Sequence, residues 1–266
     1  MSVPTLLGHH WRRHRAVLPA LCAGVSLFEW VLTRLAPAPN QAGMIRNMIA
    51  MLPPAFGSMI STEVLGNLTP RGFLGFGYAH PFALLLMSVW AVRVTAGALA
   101  GEIGHGTMDL IASRPVSRPS QVTAALIALA GGLAVIAGCG WAGTAVGLGG
   151  KPALGLSAAE FLKVAAMCWL TFLAFGGVGL LASALSGASG AATAALSALI
   201  AGSFVLDYVA RLWAPLHGMR PFSLFLYYQP QSLLATGVAP LDVAVLGGVA
   251  AAAALGAYVA FARRDL

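Results

Sequence analysis

Long apolar runs separated by short polar segments dominate the chain. Six of these runs reach about 20 residues, the length of helix that crosses a bilayer core of about 30 Å. They lie at residues 16–36, 80–101, 120–148, 158–183, 190–213 and 240–262. Inside lipid, backbone polar groups must be paired within their own segment, so runs of this length predict α-helices. The pattern predicts an all-α integral membrane protein, a single transmembrane domain with six transmembrane helices.

Composition agrees with a chain that is surrounded by lipid. Hydrophobic residues make up 59% of the 266 positions and charged residues only 9%, with a mean hydropathy of +0.84. A soluble domain carries about 25% charged residues, because its surface faces water. Cys22, Cys139 and Cys168 each lie inside an apolar run without the spacing of a metal site, so we interpret them as packing residues.

The basic residues indicate how the chain is oriented. The net charge of +7 does not suggest nucleic acid as a partner, because the basic residues stand singly or in small groups beside apolar runs, as topology signals do. In an arrangement with the N-terminus inside, the short inside segments hold Arg12, Arg13, Arg15, Arg114, Arg118, Arg263 and Arg264. An equal number of basic residues is spread over the longer outside segments. The greater density on the inside predicts that both termini are cytoplasmic in a multi-pass protein of the inner (plasma) membrane.

Three segments outside the predicted spans have their own character. Residues 1–15 combine Leu6, Leu7 and Trp11 with a basic flank, which predicts a short helix lying in the membrane interface. Residues 37–79 form a long outside connection, part of which we expect to pack against the membrane. Residues 214–239 contain three prolines among aromatic residues, which favours a re-entrant or interfacial segment over a spanning helix.

Between the second and third spans, polar residues concentrate in a short segment. Its charged and titratable residues are Glu102, His105, Asp109, Arg114 and Arg118. Apolar residues accompany them at positions 108, 110 and 111. Thr107 is a candidate N-cap, Asp109 is favourable near the positive end of a helix dipole, and Pro115 ends the helix. The segment predicts a short amphipathic helix on the cytoplasmic side.

This segment resembles the loop between the second and third helices of the permease subunits of ABC-2 type (ABCG-like) ATP-binding-cassette exporters. In that family a G-E-x-x-x-G-T stretch precedes apolar residues, and a Pro, small residues and an Arg follow. The present chain reads Gly101-Glu102, Gly106-Thr107 and Arg114-Pro115-Val116-Ser117-Arg118. The YYQP stretch at 227–230 and the ending F-x-R-R-D-L at 261–266 are likewise typical of the family.

The resemblance implies a non-catalytic permease that forms the translocation pathway as a dimer, either with a second copy or with a homologue, in the lipid bilayer. A nucleotide-binding ATPase subunit would be the other partner, and the segment 101–118 would be the coupling helix that docks on it. The residues expected to couple to the ATPase are Gly101, Glu102, Gly106, Thr107, Asp109, Arg114, Pro115 and Arg118. For Arg114 and Arg118 the alternative, topology-setting charges at the membrane surface, stays open.

ATP and Mg²⁺ are expected in the partner, so this chain is expected to need no cofactor. It contains no G-x-x-x-x-G-K-[ST] motif, and we expect no catalytic or metal-binding residues.

Two charged positions lie inside predicted spans. Arg93 stands about eight residues before Gly101, which places it about 12 Å into the membrane. A charge at that depth requires a partner or a wet cavity. Glu29 is the most obvious carboxylate partner, although we expect it nearer the outer side. Arg93 and Glu29 are therefore candidates for the pathway or for an intramembrane pair, and Arg93 snorkelling towards the cytoplasm is the alternative.

Two further patterns predict packing. Asp207 and Arg211, spaced i, i+4 near the outer end of the fifth span, predict a same-helix ion pair. Gly143-x-x-x-Gly147 predicts close approach of two helix backbones, either within the chain or across a dimer.

Other functions compete with that of an exporter permease. An ion-coupled secondary carrier would need several intramembrane carboxylates and broken-helix repeats, and Glu29 alone gives it little support. A membrane-embedded enzyme would need paired catalytic groups, but neither HExxH nor GxSxG occurs. The same ABC-2 architecture can also serve the maturation or biogenesis of an envelope protein instead of drug or lipid export, and the residues do not separate these two.

Overall fold

The computed structural model describes residues 3–37, 69–99, 118–186 and 188–263. Across these ranges the secondary structure is helical, without a strand. Six helical spans in them are long and apolar enough to cross a membrane. The predicted all-α membrane architecture with six spans is therefore confirmed.

The spans run in chain order through most of the described residues. A short helix, α1 (Val3–Arg13), precedes the first span, α2 (Val17–Leu35). The second span consists of α3 (Pro70–Ala79) and α4 (Pro81–Ala98). The four later spans are α5 (Arg118–Gly149), α6 (Ala158–Leu185), α7 (Ser189–Leu212) and α9 (Pro240–Ala262).

Short helices fill the two longer described connections. A single 3₁₀ turn, Pro152–Leu154, follows α5. Two 3₁₀ segments, Ala214–Phe222 and Leu224–Tyr227, and then the helix α8 (Pro230–Thr236) join α7 to α9. The aromatic and proline-rich stretch at 214–239 is thus built from short helical turns, in agreement with its lack of a spanning pattern.

The second span begins earlier than its hydropathy indicates. Sequence analysis starts it at residue 80 and assigns 37–79 to an outside connection, whereas helix α3 already begins at Pro70. The Thr69 hydroxyl caps this helix by accepting a hydrogen bond from the Gly72 N–H at 3.0 Å, and proline fits the first helical position. His80 interrupts the helix with extended backbone before Pro81 starts α4. The rest of that connection, residues 38–68, lies outside the described residues.

Helix α6 occupies the centre of the bundle, and its apolar core is the most buried of the six spans. It packs against α4, α5, α7 and α9. Three glycines in a single turn let the neighbours approach. A Cβ at Gly176 would lie 2.6 Å from the Leu129 side chain of α5, and one at Gly177 would lie 3.2 Å from the Ala250 carbonyl oxygen of α9. A Cβ at Gly179 would overlap with Leu196 of α7, so small residues on three faces set the spacing of this core.

Helices α2 and α5 also meet at glycines. A Cβ at Gly147 would lie 2.5 Å from the Thr33 Cβ, and one at Gly143 would overlap with the Ser26 carbonyl oxygen. The Gly143-x-x-x-Gly147 pattern therefore brings two helices of the same chain together, which answers the question that the sequence left open.

The helix ends sort onto two faces of the bundle. On one face, the Arg13 guanidinium donates to the Gly97 carbonyl at 3.5 Å, and that of Arg118 donates to the Ala262 carbonyl at 3.0 Å. On the opposite face, the Lys151 ammonium donates to the carbonyls of Arg34 and Ala36 at 2.5 and 3.2 Å. We call the first, where α1, α4 and α9 end and α5 begins, the terminal face, and the second the far face.

A pair of glycine substitutions on α5 tests this packing. Gly143→Ala is expected to lower the free energy of unfolding by about 1–3 kcal/mol, because the new methyl group meets backbone of α2 that must shift. Gly138→Ala, on the same helix with open space around the new Cβ, is the matched control and is expected not to lower stability, because alanine favours a helix more than glycine does. Unfolding in detergent micelles, followed by circular dichroism, gives both values. Equal stability of the two variants would contradict the packing described here.

Candidate functional site

The predicted ATPase-coupling segment lies almost wholly outside the described residues. This applies to seven of its expected residues, namely Gly101, Glu102, Gly106, Thr107, Asp109, Arg114 and Pro115. The two helices that flank the segment are described. Helix α4 ends at Ala98 and α5 begins at Arg118, both on the terminal face. The roles of these seven residues in coupling therefore stay predictions.

Arg118 is the one expected coupling residue whose contacts are described. It is half-buried, and its guanidinium donates to the carbonyl of Ala262, the last residue of α9. Carbonyls at a helix end lack partners within the helix, so this contact caps α9 and ties it to the start of α5. Arg118 thus has a structural role on the terminal face, whatever else it contacts.

The N-terminal helix is tied to the end of the second span. The Trp11 and Trp90 rings lie 6.1 Å apart, and the buried His14 ring lies 5.5 Å from Trp90. The Trp90 indole donates in turn to the Leu129 carbonyl of α5 at 3.3 Å. Together with the Arg13 contact to Gly97, these rings join α1, α4 and α5 in the half of the bundle nearer the terminal face.

The structure does not bring Arg93 and Glu29 together. The Arg93 side chain is exposed on the outside of α4, five residues before the helix ends, a depth from which its long stem can snorkel to the membrane surface. Glu29 is fully buried between spans, and its carboxylate oxygens have no hydrogen-bond partner in the described part of the chain. The separation of Arg93 and Glu29 could not be predicted from the sequence. Helix α4 is apolar on all sides, so its sequence does not indicate which face packs into the bundle.

Glu29 lies instead beside a buried polar cluster in the far half of the bundle. A Cβ at Gly77 would lie 3.0 Å from the Glu29 Oε2 atom. The Tyr78 hydroxyl next along α3 shares a hydrogen bond of 2.9 Å with the Thr144 hydroxyl of α5. The Tyr228 hydroxyl donates to the Tyr78 carbonyl at 3.2 Å. These bonds fasten the connection before α9 to the second and third spans.

The predicted ion pair of Asp207 and Arg211 is confirmed and forms part of a larger group, which we call the far-face network. The Arg211 Nη2 and Nε atoms donate to the Asp207 Oδ2 atom at 2.6 and 3.0 Å. Arg220 Nη2 lies 3.3 Å from the Asp207 Oδ1 atom. The Gln229 side-chain amide donates to Asp207 at 3.4 Å and accepts from Arg211.

The sequence predicts two of the four residues of the far-face network. Asp207 and Arg211 share a helix face at a fixed spacing, which a sequence displays. Arg220 and Gln229 come from the 3₁₀ segment and from the start of α8, so only the fold of the 214–239 connection brings them close. The YYQP stretch is identified in the sequence only through its resemblance to the family. In the structure its Tyr228 and Gln229 bind the connection to α3 and α7.

A cavity of about 690 Å³ lies beside the far-face network. It lies between the second span, α7 and the short helices that follow α7, and its lining includes Leu84, Phe204, Phe225, Asp207 and Arg211. Sites for small molecules commonly have volumes of about 300–1,000 Å³, mostly apolar walls and a few polar groups. The cavity therefore has the size and the chemistry of a ligand site.

Two comparisons with known proteins bear on the function. A family model described as an ABC-2 family transporter protein matches residues 31–266, which include five of the six spans whole and the end of the first. A search of the curated proteins found no match to the chain.

Removing the central charge of the far-face network tests its contribution to stability. The Asp207 side chain is only 8% exposed, and those of Arg211 and Arg220 are 26% and 30% exposed. Asp207→Asn leaves two partly buried arginines without their carboxylate, so we expect the free energy of unfolding to fall by about 1–3 kcal/mol.

Glu160→Gln is the matched control for this change. It breaks the Arg71–Glu160 ion pair of 2.7 Å, whose side chains are 48% and 31% exposed, and a pair so open to solvent contributes less than about 1 kcal/mol. Thermal unfolding of both variants in the same detergent compares them. A larger loss of stability for Glu160→Gln than for Asp207→Asn would contradict the greater contribution expected of Asp207.

Proposed function

The chain belongs to the ABC-2 transporter family, and on that premise we propose that it is the membrane half of an ATP-driven exporter, acting as a dimer with a separate nucleotide-binding ATPase. That the chain is a multi-pass permease component of an ABC-type transporter follows from the family match and the six apolar spans. Export, the dimer and the ATPase partner are the proposal.

One observation carries the proposal. The family match runs from residue 31 to the last residue, and it therefore includes the polar segment 101–118 as well as the bundle. This segment joins two spans whose described ends lie on the terminal face beside α1 and the end of α9. A segment so placed is suited to contact a subunit outside the membrane, which is the role proposed for it.

The packing around the segment supports a rigid transfer of movement. Helices α4 and α5 both pack on the central helix α6. They are locked to each other where Trp90 lies against Gly132 and donates to Leu129. A displacement imposed on the coupling segment would therefore move α4, α5 and α6 together, as rigid-body switching requires. ATP-driven closure of the ATPase pair is proposed as the source of that displacement.

Charge supports a cytoplasmic terminal face. Arg12, Arg13, Arg15, Arg118 and Arg263 lie at helix ends on this face. The far face also carries basic residues, but they are spread over longer connections, and a high density of positive charge beside short connections marks the cytoplasmic side. The proposal therefore places both termini and the segment 101–118 in the cytoplasm, with the protein in the plasma membrane. Among the spans, α2, α7 and α9 are the least buried, so their outer surfaces remain for lipid and for the second permease.

Co-expression with the neighbouring genes, among which the proposal expects one for an ATPase, tests the proposal. The permease purified alone is expected to bind no nucleotide, and the ATPase is expected to co-purify with it at two copies of each subunit. If no ATPase encoded beside this gene associates with the permease, the proposed function is wrong.

Glu102→Ala tests the coupling segment. If Glu102 anchors this segment on the ATPase, its loss removes a charge-assisted contact of about 1.5–3 kcal/mol, so the affinity of the two subunits should fall roughly tenfold or more. The measurements are titration of the ATPase on permease in lipid nanodiscs and the permease-stimulated rate of ATP hydrolysis. Glu160→Ala removes a carboxylate on the far face and should change neither quantity. Unchanged affinity and turnover for Glu102→Ala would remove the role given to that residue.

A further inference from the structure

Glu29 places a carboxyl group inside the apolar bundle. It stands six residues before the end of α2, about 9 Å into the span, and it is 0% exposed. Neither of its carboxyl oxygens has a hydrogen-bond partner in the described part of the chain. An ionised carboxylate that is cut off from water and from a counter-charge is strongly disfavoured in such surroundings. The carboxyl group therefore needs a cation bound to it.

The groups that face Glu29 supply no positive charge. Those close enough to interact with it electrostatically are the phenols of Tyr78 and Tyr228 and the thiol of Cys168. His80, at the junction of α3 and α4, uses its Nδ1 atom to accept a hydrogen bond from the N–H of residue 82 at 3.2 Å. These neighbours leave the charge of an ionised Glu29 uncompensated.

Basic residues of the helices that pack on α2 are placed elsewhere. Arg71 of α3 pairs with Glu160 at 2.7 Å, and the Arg93 side chain is exposed on the outside of α4. Arg118 and Lys151, at the two ends of α5, donate to carbonyls at the ends of other spans. Among the described residues, no lysine or arginine forms an ion pair with Glu29.

Close packing at the site favours a proton over a hydrated metal ion. A Cβ at Gly77 of α3 would lie 3.0 Å from the Glu29 Oε2 atom and 2.7 Å from the Leu32 Cδ1 atom. The hydroxyls of Tyr78 and Thr144 are bonded to each other at 2.9 Å. A bound water needs its own space and about two to four polar partners. A proton on one carboxyl oxygen needs no additional space, and it makes the group neutral.

We propose that Glu29 is a proton-binding site, and that its bound proton is required for α2 to pack against α3 and α5. Loss of the proton leaves an ionised group that must reach water, so it favours separation of α2 from its neighbours. In the proposed exporter, binding of a proton at Glu29 would therefore favour the packed arrangement of these helices. That consequence rests on the proposed function, whereas the proton binding does not.

The pH dependence of unfolding tests the proposal on the permease alone, in detergent micelles. An exposed glutamate in an unfolded chain loses its proton near about pH 4.3. At higher pH, unfolding releases the proton that Glu29 holds in the folded state, so a rise in pH favours unfolding. Glu29→Gln places a neutral amide of the same size at the site and has no such proton to release. We expect the unfolding equilibrium constant of the wild type, divided by that of Glu29→Gln, to rise about tenfold for each pH unit between about pH 6 and about pH 8.

Glu160→Gln is the matched control for this measurement. The Glu160 side chain is 31% exposed and pairs with Arg71, so it has access both to water and to a counter-charge. The unfolding equilibrium constant of the wild type, divided by that of Glu160→Gln, should therefore not change with pH over the same range.

Infrared spectroscopy detects the proton directly in the folded permease. At neutral pH the wild type should show the C=O stretch of a protonated carboxyl group, and the band should shift when the protein is transferred to D₂O. The band should be absent from Glu29→Gln and present in Glu160→Gln. Should Glu29→Gln not fold, Glu29→Asp serves the same purpose, because a shorter side chain shifts the band without removing it.

Three results would overturn the inference. They are a ratio of wild type to Glu29→Gln that does not change with pH, an equal pH dependence for Glu160→Gln, and a carboxylate spectrum for Glu29 at neutral pH. None of these measurements involves an ATPase, so an ionised Glu29 would leave the proposed function intact. Failure of an ATPase to associate would overturn the proposed function and leave the proton site in place.

Discussion

Close contact at glycines sets the spacing of the whole bundle, because lipid gives apolar helices no hydrophobic reason to associate with one another. Around α6, Gly176, Gly177 and Gly179 admit neighbours from three directions, and Gly143 and Gly147 do the same between α5 and α2. Dispersion between surfaces this close replaces the driving force that water supplies to a soluble core. The Arg13, Arg118 and Lys151 contacts lie at the ends of the spans, and the Tyr78, Thr144 and Tyr228 contacts lie in the far half of the interior.

The two faces use polar groups in different ways. On the terminal face, Arg13 and Arg118 donate to the carbonyls that helix ends leave unpaired, so α1 is tied to α4 and α5 is tied to α9. These ties surround the exit and the entry of the segment proposed to contact the ATPase. On the far face, Asp207 gathers Arg211, Arg220 and Gln229 and so fixes the short helices between α7 and α9. One face is therefore suited to receive a partner, and the other encloses a cavity.

Helix-sized apolar runs are the part of the fold that the sequence predicts well, and five of the six spans begin within about two residues of the predicted position. The second span was predicted too short, because glycine and proline in residues 70–80 lower its apparent helicity while Thr69 and Pro70 cap it. The rotation of each helix about its axis could not be predicted, since a span that is apolar on all sides has no apolar face opposite a polar one. For this reason the sequence presents Arg93 and Glu29 as candidates for a pair. Asp207 and Arg211 were found through their spacing, whereas Arg220 and Gln229 reach the same site only through the turns of the 214–239 connection.

The central claim is that the terminal face of the bundle, and not the far face, contacts the ATPase. Photo-crosslinking from single positions tests it most directly, with a photoreactive amino acid placed either at Ile111, in the proposed coupling segment, or at Met219, which is exposed in the first 3₁₀ segment. In membranes that contain both subunits, the account predicts that the permease crosslinks to the ATPase from Ile111, with a yield that changes on addition of ATP, and not from Met219. Crosslinks from Met219, or from neither position when the two subunits co-purify, would contradict it.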